Sequence, residues 1–172
     1  MVVPLAQPAE SEVLHAHGVR TKLYEESLAR FRRFESEEPG GYTADIALTL
    51  ANLASNDWEL GSYATAAKRL EEAHELFAGL DQSQPGVYLP FLARIYARLA
   101  GTLLQDSGRK SDREASESAV TAHQRAVSLF EQLEAVQPGS YAHDLALQRA
   151  NLGGLHVDRG ELDLGENELE RA

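Results

Sequence analysis

The chain has 172 residues, of which 43% are hydrophobic and 25% are charged, and this composition is typical of a globular protein rather than a disordered one. Its 16 basic and 27 acidic side chains give a formal net charge of −11, which repels phosphate backbones, so we expect no nucleic-acid partner. No apolar run approaches the roughly 20 residues of a membrane-spanning helix, and the first residues lack the features of a secretory signal. We therefore expect a cytoplasmic protein with no membrane partner. The absence of cysteine excludes disulfides and thiolate metal sites.

Three segments of the chain are alike. Each contains a Pro-Gly-x-Tyr motif, followed at the same distance by an apolar residue and an alanine, and preceded by a phenylalanine eight residues before the proline. The motifs occupy residues 39–42, 85–88 and 138–141. This agreement at several positions indicates an internal repeat, with units of 46 and 53 residues between successive prolines.

Within each unit the apolar residues recur at helical spacing, as Ile46, Leu50 and Leu53 do. A single glycine divides each unit, and the Pro-Gly pairs separate one unit from the next, so each unit is predicted to be helix–turn–helix. The predicted helices, in chain order, lie near residues 19–36, 42–59, 62–82, 88–106, 114–135, 141–158 and 162–172. Residues 1–18 are predicted to form a partly flexible lead, and residues 19–172 one repeat domain. Its units run over 42–87, 88–140 and 141–172, after a partial unit.

Particular residues in these units resemble the tetratricopeptide repeat family. Asn52-Leu53-Ala54 and Asn151-Leu152-Gly153 are similar to the signature of the family's first helix. The segment from Leu60 to Ala66, with Ala73 after it, is similar to the turn and second helix. The units are longer than the family's usual length of about 34 residues, as in bacterial signalling variants and kinesin-light-chain-like arrays. The resemblance implies an all-α, right-handed α-solenoid of helix–turn–helix repeats.

In the family that these units resemble, first helices line a concave groove that binds an extended peptide or a partner helix. The resemblance therefore implies a protein–protein interaction module. Carried over to this sequence, the groove comprises Leu48, Asn52, Ser55, Trp58, Glu59, Arg94, Arg98, Gly101, Gln105, Leu147, Asn151, Gly154 and Asp158. The amides of Asn52 and Asn151 are suited either to a peptide backbone or, equally, to neighbouring helix backbone. Because the chain is acidic, we expect a neutral or basic protein or peptide partner.

No residue pattern indicates catalysis. The six histidines include no pair at a spacing that chelates a metal on a helix, and no serine, histidine and acid form an interpretable set. We expect a protein that is not an enzyme and has no catalytic residue, metal or cofactor.

Two alternative functions remain open. One is a sensory or regulatory domain of a larger signalling protein that responds to a small ligand or peptide. The other is self-association into a homo-oligomer through exposed repeat ends.

The insertion at 109–114 is interpreted either as a binding edge or as a solvated loop. Arg149 on an apolar stripe and Gly165 in place of an alanine predict a loosely packed third unit.

Overall fold

The structure, a computed structural model, describes residues 10–106 and 113–172. Every regular element in these two segments is an α-helix, which confirms the all-α class. The helices are α1 (Glu10–Glu37), α2 (Thr43–Glu59), α3 (Tyr63–Ser83), α4 (Leu89–Asp106), α5 (Arg113–Val136), α6 (Ala142–Asp158) and α7 (Leu162–Glu170). Each helix packs against the one that follows it in the chain.

The helix boundaries lie within two residues of the predicted ones, except at the start of α1. That helix begins at Glu10, so the lead predicted for residues 1–18 is helical from this residue onward. The sequence did not predict a helix before residue 19 because residues 14–16 are all exposed and therefore show no apolar stripe. Residues 1–9 and 107–112 lie outside the described residues, and the second of these ranges includes residues 109–112 of the predicted insertion. Arg113 and Glu114 form the first turn of α5.

The connections between units share a hydrogen-bonded arrangement that the sequence analysis did not identify. The residue four before each motif proline is acidic, and its carboxylate accepts bonds from the backbone N–H groups of the motif glycine and tyrosine. Glu35 accepts from Gly40 at 2.8 Å and from Tyr42 at 2.7 Å. Asp81 and Glu134 hold the next two connections in the same way. We call these carboxylates the acidic clips. Each one ties the end of one unit to the start of the next.

The repeated aromatic residues have a related role. The motif tyrosine packs on the phenylalanine that precedes the proline by eight residues. Ring centroids are 5.7 Å apart for Phe77 and Tyr88 and 6.2 Å apart for Phe130 and Tyr141. Phe77 and Phe130 are each only 1% exposed. The repeated aromatic positions are therefore core contacts between the second helix of one unit and the first helix of the next.

The third unit packs closely, contrary to the expectation of a loose one. Gly153 of α6 and Gly165 of α7 approach so nearly that a Cβ on Gly165 would lie 2.6 Å from Cγ2 of Val157 and 3.0 Å from the carbonyl oxygen of Gly153. Buried alanines, Ala54 and Ala66, occupy the equivalent positions of the first unit. The glycines let the last two helices come closer than alanines would permit.

Arg149, the basic residue on the apolar stripe, is also accommodated. Its guanidinium lies 2.6 Å from a carboxylate oxygen of Glu131 on α5 and donates to the backbone carbonyl of Arg171 at 2.6 Å. Only 15% of the Arg149 side chain is exposed. This side chain therefore links α5, α6 and the end of α7 rather than disturbing the packing between them.

Candidate binding cleft

A cleft of about 340 Å³ lies between α2 and α4, above α3. It thus joins the first helices of two successive units. The residues that line it are Ala54, Ser55, Trp58, Glu59, Leu70, Ala97, Arg98, Gly101 and Thr102. Five of these belong to the groove implied by the sequence, namely Ser55, Trp58, Glu59, Arg98 and Gly101.

Small residues on α4 leave the space that forms the cleft. Ala97 and Gly101 are one helical turn apart and lie over Leu70, which is only 1% exposed. No atom lies within 4 Å of the place where a Cβ on Gly101 would sit, apart from that helix's own nearby backbone and the adjoining residues. The floor of the cleft is therefore apolar, and the small side chains on α4 leave room above it.

Trp58 forms one wall at the last turn of α2. It is 44% exposed, although tryptophan is usually a largely buried residue. Its ring meets Tyr63 edge-to-face, with centroids 6.1 Å apart. An aromatic ring that is held from one side and open on the other is suited to contact with a partner side chain.

The acidic residue of the cleft is already paired. A carboxylate oxygen of Glu59 lies 3.2 Å from the guanidinium of Arg20 and 3.1 Å from Nδ1 of His17, both on α1. The same His17 nitrogen is 2.8 Å from Oδ1 of Asn56. Both of its neighbours are acceptors, so Nδ1 carries the proton. The carboxylate of Glu59 is therefore already paired with side chains of α1.

The basic residue of the cleft is not paired. Arg98 on the opposite wall is exposed and forms no ion pair with any described residue, and the same is true of Arg94, one turn earlier on α4. The available charge at the cleft is thus positive, although the whole chain is strongly acidic.

The other residues of the predicted groove are not part of this cleft. They lie on exposed or partly exposed faces of α2, α4 and α6: Leu48, Asn52, Arg94, Gln105, Leu147, Asn151, Gly154 and Asp158. Neither Asn52 nor Asn151 hydrogen-bonds through its amide to a described residue, so these amides do not satisfy neighbouring helix backbone. The buried amide is that of Asn56, which is 1% exposed and donates to the carbonyl of His17 and the hydroxyl of Thr21.

Sequence reasoning missed the cleft residues Ala54, Leu70, Ala97 and Thr102. The resemblance was carried over only to the outward positions of first helices, whereas Leu70 belongs to a second helix. A usable signal was present, because Leu70 follows Ala66 by one turn on the same apolar stripe.

Three histidines outside the cleft form side-chain hydrogen bonds. His74 Nε2 is 2.9 Å from the hydroxyl of Tyr96, and His156 Nδ1 is 2.6 Å from a carboxylate oxygen of Glu161. His123 is 3% exposed, and burial lowers its pKa even though Gln148 hydrogen-bonds to it. The part of the chain that the structure describes contains no group of three or more metal-ligating side chains. It also contains no helix that is long and apolar enough to span a membrane.

Comparison of the chain with protein-family models gave no match. Comparison with curated proteins gave no match either.

Proposed function

We propose that this protein is an interaction module of the tetratricopeptide type, in which helix–turn–helix units form a right-handed solenoid. In this proposal it acts by binding a segment of another protein, and not by catalysis. The repeated units support the proposal, since the same acidic clips and aromatic pairs join each unit to the next. Helices that pack in chain order are likewise typical of a repeat array.

The observation that supports a binding role most directly is the cleft between α2 and α4. It combines an apolar floor at Leu70, an exposed aromatic wall at Trp58 and an unpaired cation at Arg98. Tryptophan and arginine are the residues most enriched at the energetic centres of protein interfaces. A bound segment would place an apolar side chain over Leu70 and against Trp58.

The local charge refines the partner that the net charge predicts. The net charge favours a neutral or basic partner, but within the cleft Glu59 is already paired and Arg98 is available. We therefore propose a peptide that is otherwise neutral and carries a carboxylate close to the apolar side chain that enters the cleft. A carboxylate there would form a charge-assisted hydrogen bond with the guanidinium of Arg98.

The test is selection of short peptides from a random displayed library, followed by titration of the selected peptides. Trp58 is the only tryptophan, so its fluorescence reports directly on the occupancy of the cleft. The expected result is that selected peptides change this fluorescence, and that Trp58→Ala weakens their binding, measured by anisotropy of labelled peptide, by about tenfold or more.

A charge-reversal pair provides the control. Arg98→Glu should weaken binding by about tenfold or more, since it replaces an attraction by a repulsion. Arg125→Glu should not, because Arg125 is also exposed and unpaired among the described residues but lies on α5, away from the cleft. Selected peptides that bind the Trp58→Ala and Arg98→Glu variants as well as they bind the wild type would refute the proposal.

A further inference from the structure

Two ion pairs join α1 to α3, the helices on either side of α2. The guanidinium of Arg69 on α3 lies 3.3 Å from a carboxylate oxygen of Glu25 on α1. The guanidinium of Arg32 on α1 lies 2.5 Å from a carboxylate oxygen of Glu72 on α3. Each of the two helices also packs against α2, so the ion pairs close the space between them.

An ion pair joins α5 to α7 in an equivalent place. Arg171 of α7 lies 3.2 Å from a carboxylate oxygen of Glu131 on α5. Glu131 precedes its motif proline by seven residues, as Arg32 does. Arg171 follows Gly165 by six residues, as Glu72 follows Ala66. The two charges are exchanged between the helices, but an ion pair occupies the same register in both places.

The space between α3 and α5 lacks the first kind of contact. Glu71 of α3 precedes its motif proline by fourteen residues, as Glu25 does. The cation that should face it is missing, because α5 has Ala122 in the register of Arg69. Glu71 is exposed and forms no ion pair with a described residue. An alanine has therefore removed the partner of this carboxylate.

The second kind of contact is missing there as well. Arg125 of α5 is in the register of Arg171, but α3 has Ala78 in the register of Glu131. Arg125 is exposed and forms no ion pair with a described residue. The space lies between two units that are each flanked by further helices. It is consequently open because of two alanines, and not because it lies at an end of the array.

The missing side chains leave a groove of about 480 Å³ between α3 and α5, which we call the α3/α5 groove. Its floor is formed by Leu99 and Leu103 of α4 and by the ring of Tyr96, all of them half-buried. The hydroxyl of Tyr96 is already hydrogen-bonded to Nε2 of His74 at 2.9 Å. The floor is therefore mainly apolar, and the two unpaired charges stand on opposite walls.

The remaining charge of the groove is engaged. Glu117 lines the α5 wall, and its carboxylate lies 2.9 Å from Nε of Arg113. The available charges are thus one carboxylate and one guanidinium, separated by an apolar floor. A volume of this size is within the range of about 300–1,000 Å³ that small-molecule sites occupy. The complementary occupant carries one cation and one anion joined by an apolar stem.

We propose that the α3/α5 groove binds a small zwitterion, in which a cationic group and a carboxylate are joined by a short apolar stem, as in an ω-amino acid. The cation lies against Glu71, in the space that Ala122 leaves. The carboxylate forms charge-assisted hydrogen bonds with Arg125, and the stem covers Leu99 and Leu103. The ligand thereby supplies both of the charges that the other units supply from their own side chains.

The test is a titration of the isotope-labelled full chain with ε-aminocaproate at constant ionic strength, followed by the backbone amide signals in NMR spectra. We expect saturable shifts at Leu103 and Ala122 and a dissociation constant of about 1–10 mM. The indole signal of Trp58, the only tryptophan, should not move, which separates this site from the cleft. Caproate and hexylamine each lack one of the two charges and should bind about tenfold more weakly or less.

Two variants of the protein locate the binding. Glu71→Gln and Arg125→Gln should each weaken the binding of ε-aminocaproate by about tenfold. Glu75→Gln is the matched control on α3, and Arg30→Gln is the matched control for the arginine. Both control residues are exposed and unpaired among the described residues, and neither lines the groove.

A third variant restores the contact that the other units have. Ala78→Glu places a carboxylate in the register of Glu131, where it should pair with Arg125 as Glu131 pairs with Arg171. We expect this variant to bind ε-aminocaproate about tenfold more weakly, because the arginine is then engaged. Circular dichroism checks that the helices are retained.

Three results would overturn the proposal. One is the absence of saturable shifts up to tens of millimolar ε-aminocaproate. Another is binding of equal strength by caproate or hexylamine, or by the Glu71→Gln and Arg125→Gln variants. The last is a concentration-dependent dimer in light scattering that Glu71→Gln dissociates, because a second copy of the chain would then be the occupant of the groove.

Discussion

Replacing Gly153 by alanine tests the close approach of α6 and α7, and the chain offers its own control in the next residue. A Cβ on Gly153 would lie 2.8 Å from Cγ of Leu169 and 3.0 Å from the carbonyl oxygen of Gly165. A Cβ on Gly154 would meet no atom within 4 Å outside its own stretch of helix. Both glycines lie inside α6, so the two substitutions differ mainly in what the added methyl group contacts.

The expected magnitudes follow from that difference. Alanine is favoured over glycine inside a helix by about 1 kcal/mol, and Gly154→Ala should gain this amount. Gly153→Ala should gain the same, but inserting a methyl group into a closely packed contact costs about 1–3 kcal/mol. The Leu169 side chain can rotate away, whereas the backbone oxygen of Gly165 cannot move without shifting α7. We therefore expect Gly153→Ala to be less stable than Gly154→Ala by about 2 kcal/mol.

The measurement is urea unfolding of the wild type and both variants, followed by far-UV circular dichroism and repeated as thermal unfolding. A difference of about 2 kcal/mol corresponds to roughly 4–8 °C in unfolding midpoint for a chain of this size. Equal stabilisation by the two substitutions would refute the argument, because it would mean that α6 and α7 are not in close contact at Gly153.

Two further predictions concern buried polar groups. Burial lowers the pKa of His123, so the imidazole binds its proton more tightly in the unfolded chain than in the folded one. The free energy of unfolding should therefore fall as the pH drops below the unfolded pKa of about 6.5. His123→Leu should reduce this dependence, which is measured as the unfolding midpoint against pH. Replacing the exposed His143 by glutamine should leave the dependence intact, and an unchanged slope in His123→Leu would contradict the assignment. Asn56→Ala should cost about 2 kcal/mol of unfolding free energy, since it removes the bonds that join α2 to His17 and Thr21. Asn52→Ala on the same helix should change it by less than about 0.5 kcal/mol, and equal losses in the two variants would argue against the buried role of Asn56.

The helices and the repeat could be predicted because they depend on local patterns. Apolar spacing identifies which stretch is helical and which side of it is buried, and Pro-Gly pairs mark where helices end. The pattern failed before residue 19 because the residue of this segment that packs against α2, His17, is polar and is followed by the exposed Gly18, Val19 and Arg20, so no apolar stripe marks the helix. The acidic clips are also a local feature, since each carboxylate lies four residues before its proline.

The candidate sites depended on contacts between distant residues. The sequence predicted that Trp58 and Arg98 share a groove, and it did not distinguish Asn52, which is exposed, from Asn56, which is buried against α1. Nor could it separate paired from unpaired charges, since Glu59 is paired with residues 39 and 42 positions away along the chain.

The sequence alone therefore determined the all-α class, the helix–turn–helix units and the apolar stripes within those units, because each of these depends on residues within a few turns of one another. Only the tertiary structure showed that Arg98 in the cleft is unpaired, that Gly153 and Gly165 of the third unit are in close contact, and that Leu169 is exposed. These depend on how neighbouring helices are positioned against each other. A residue's own sequence neighbourhood does not specify that arrangement, and residues in equivalent registers can consequently be buried in one unit and open in another.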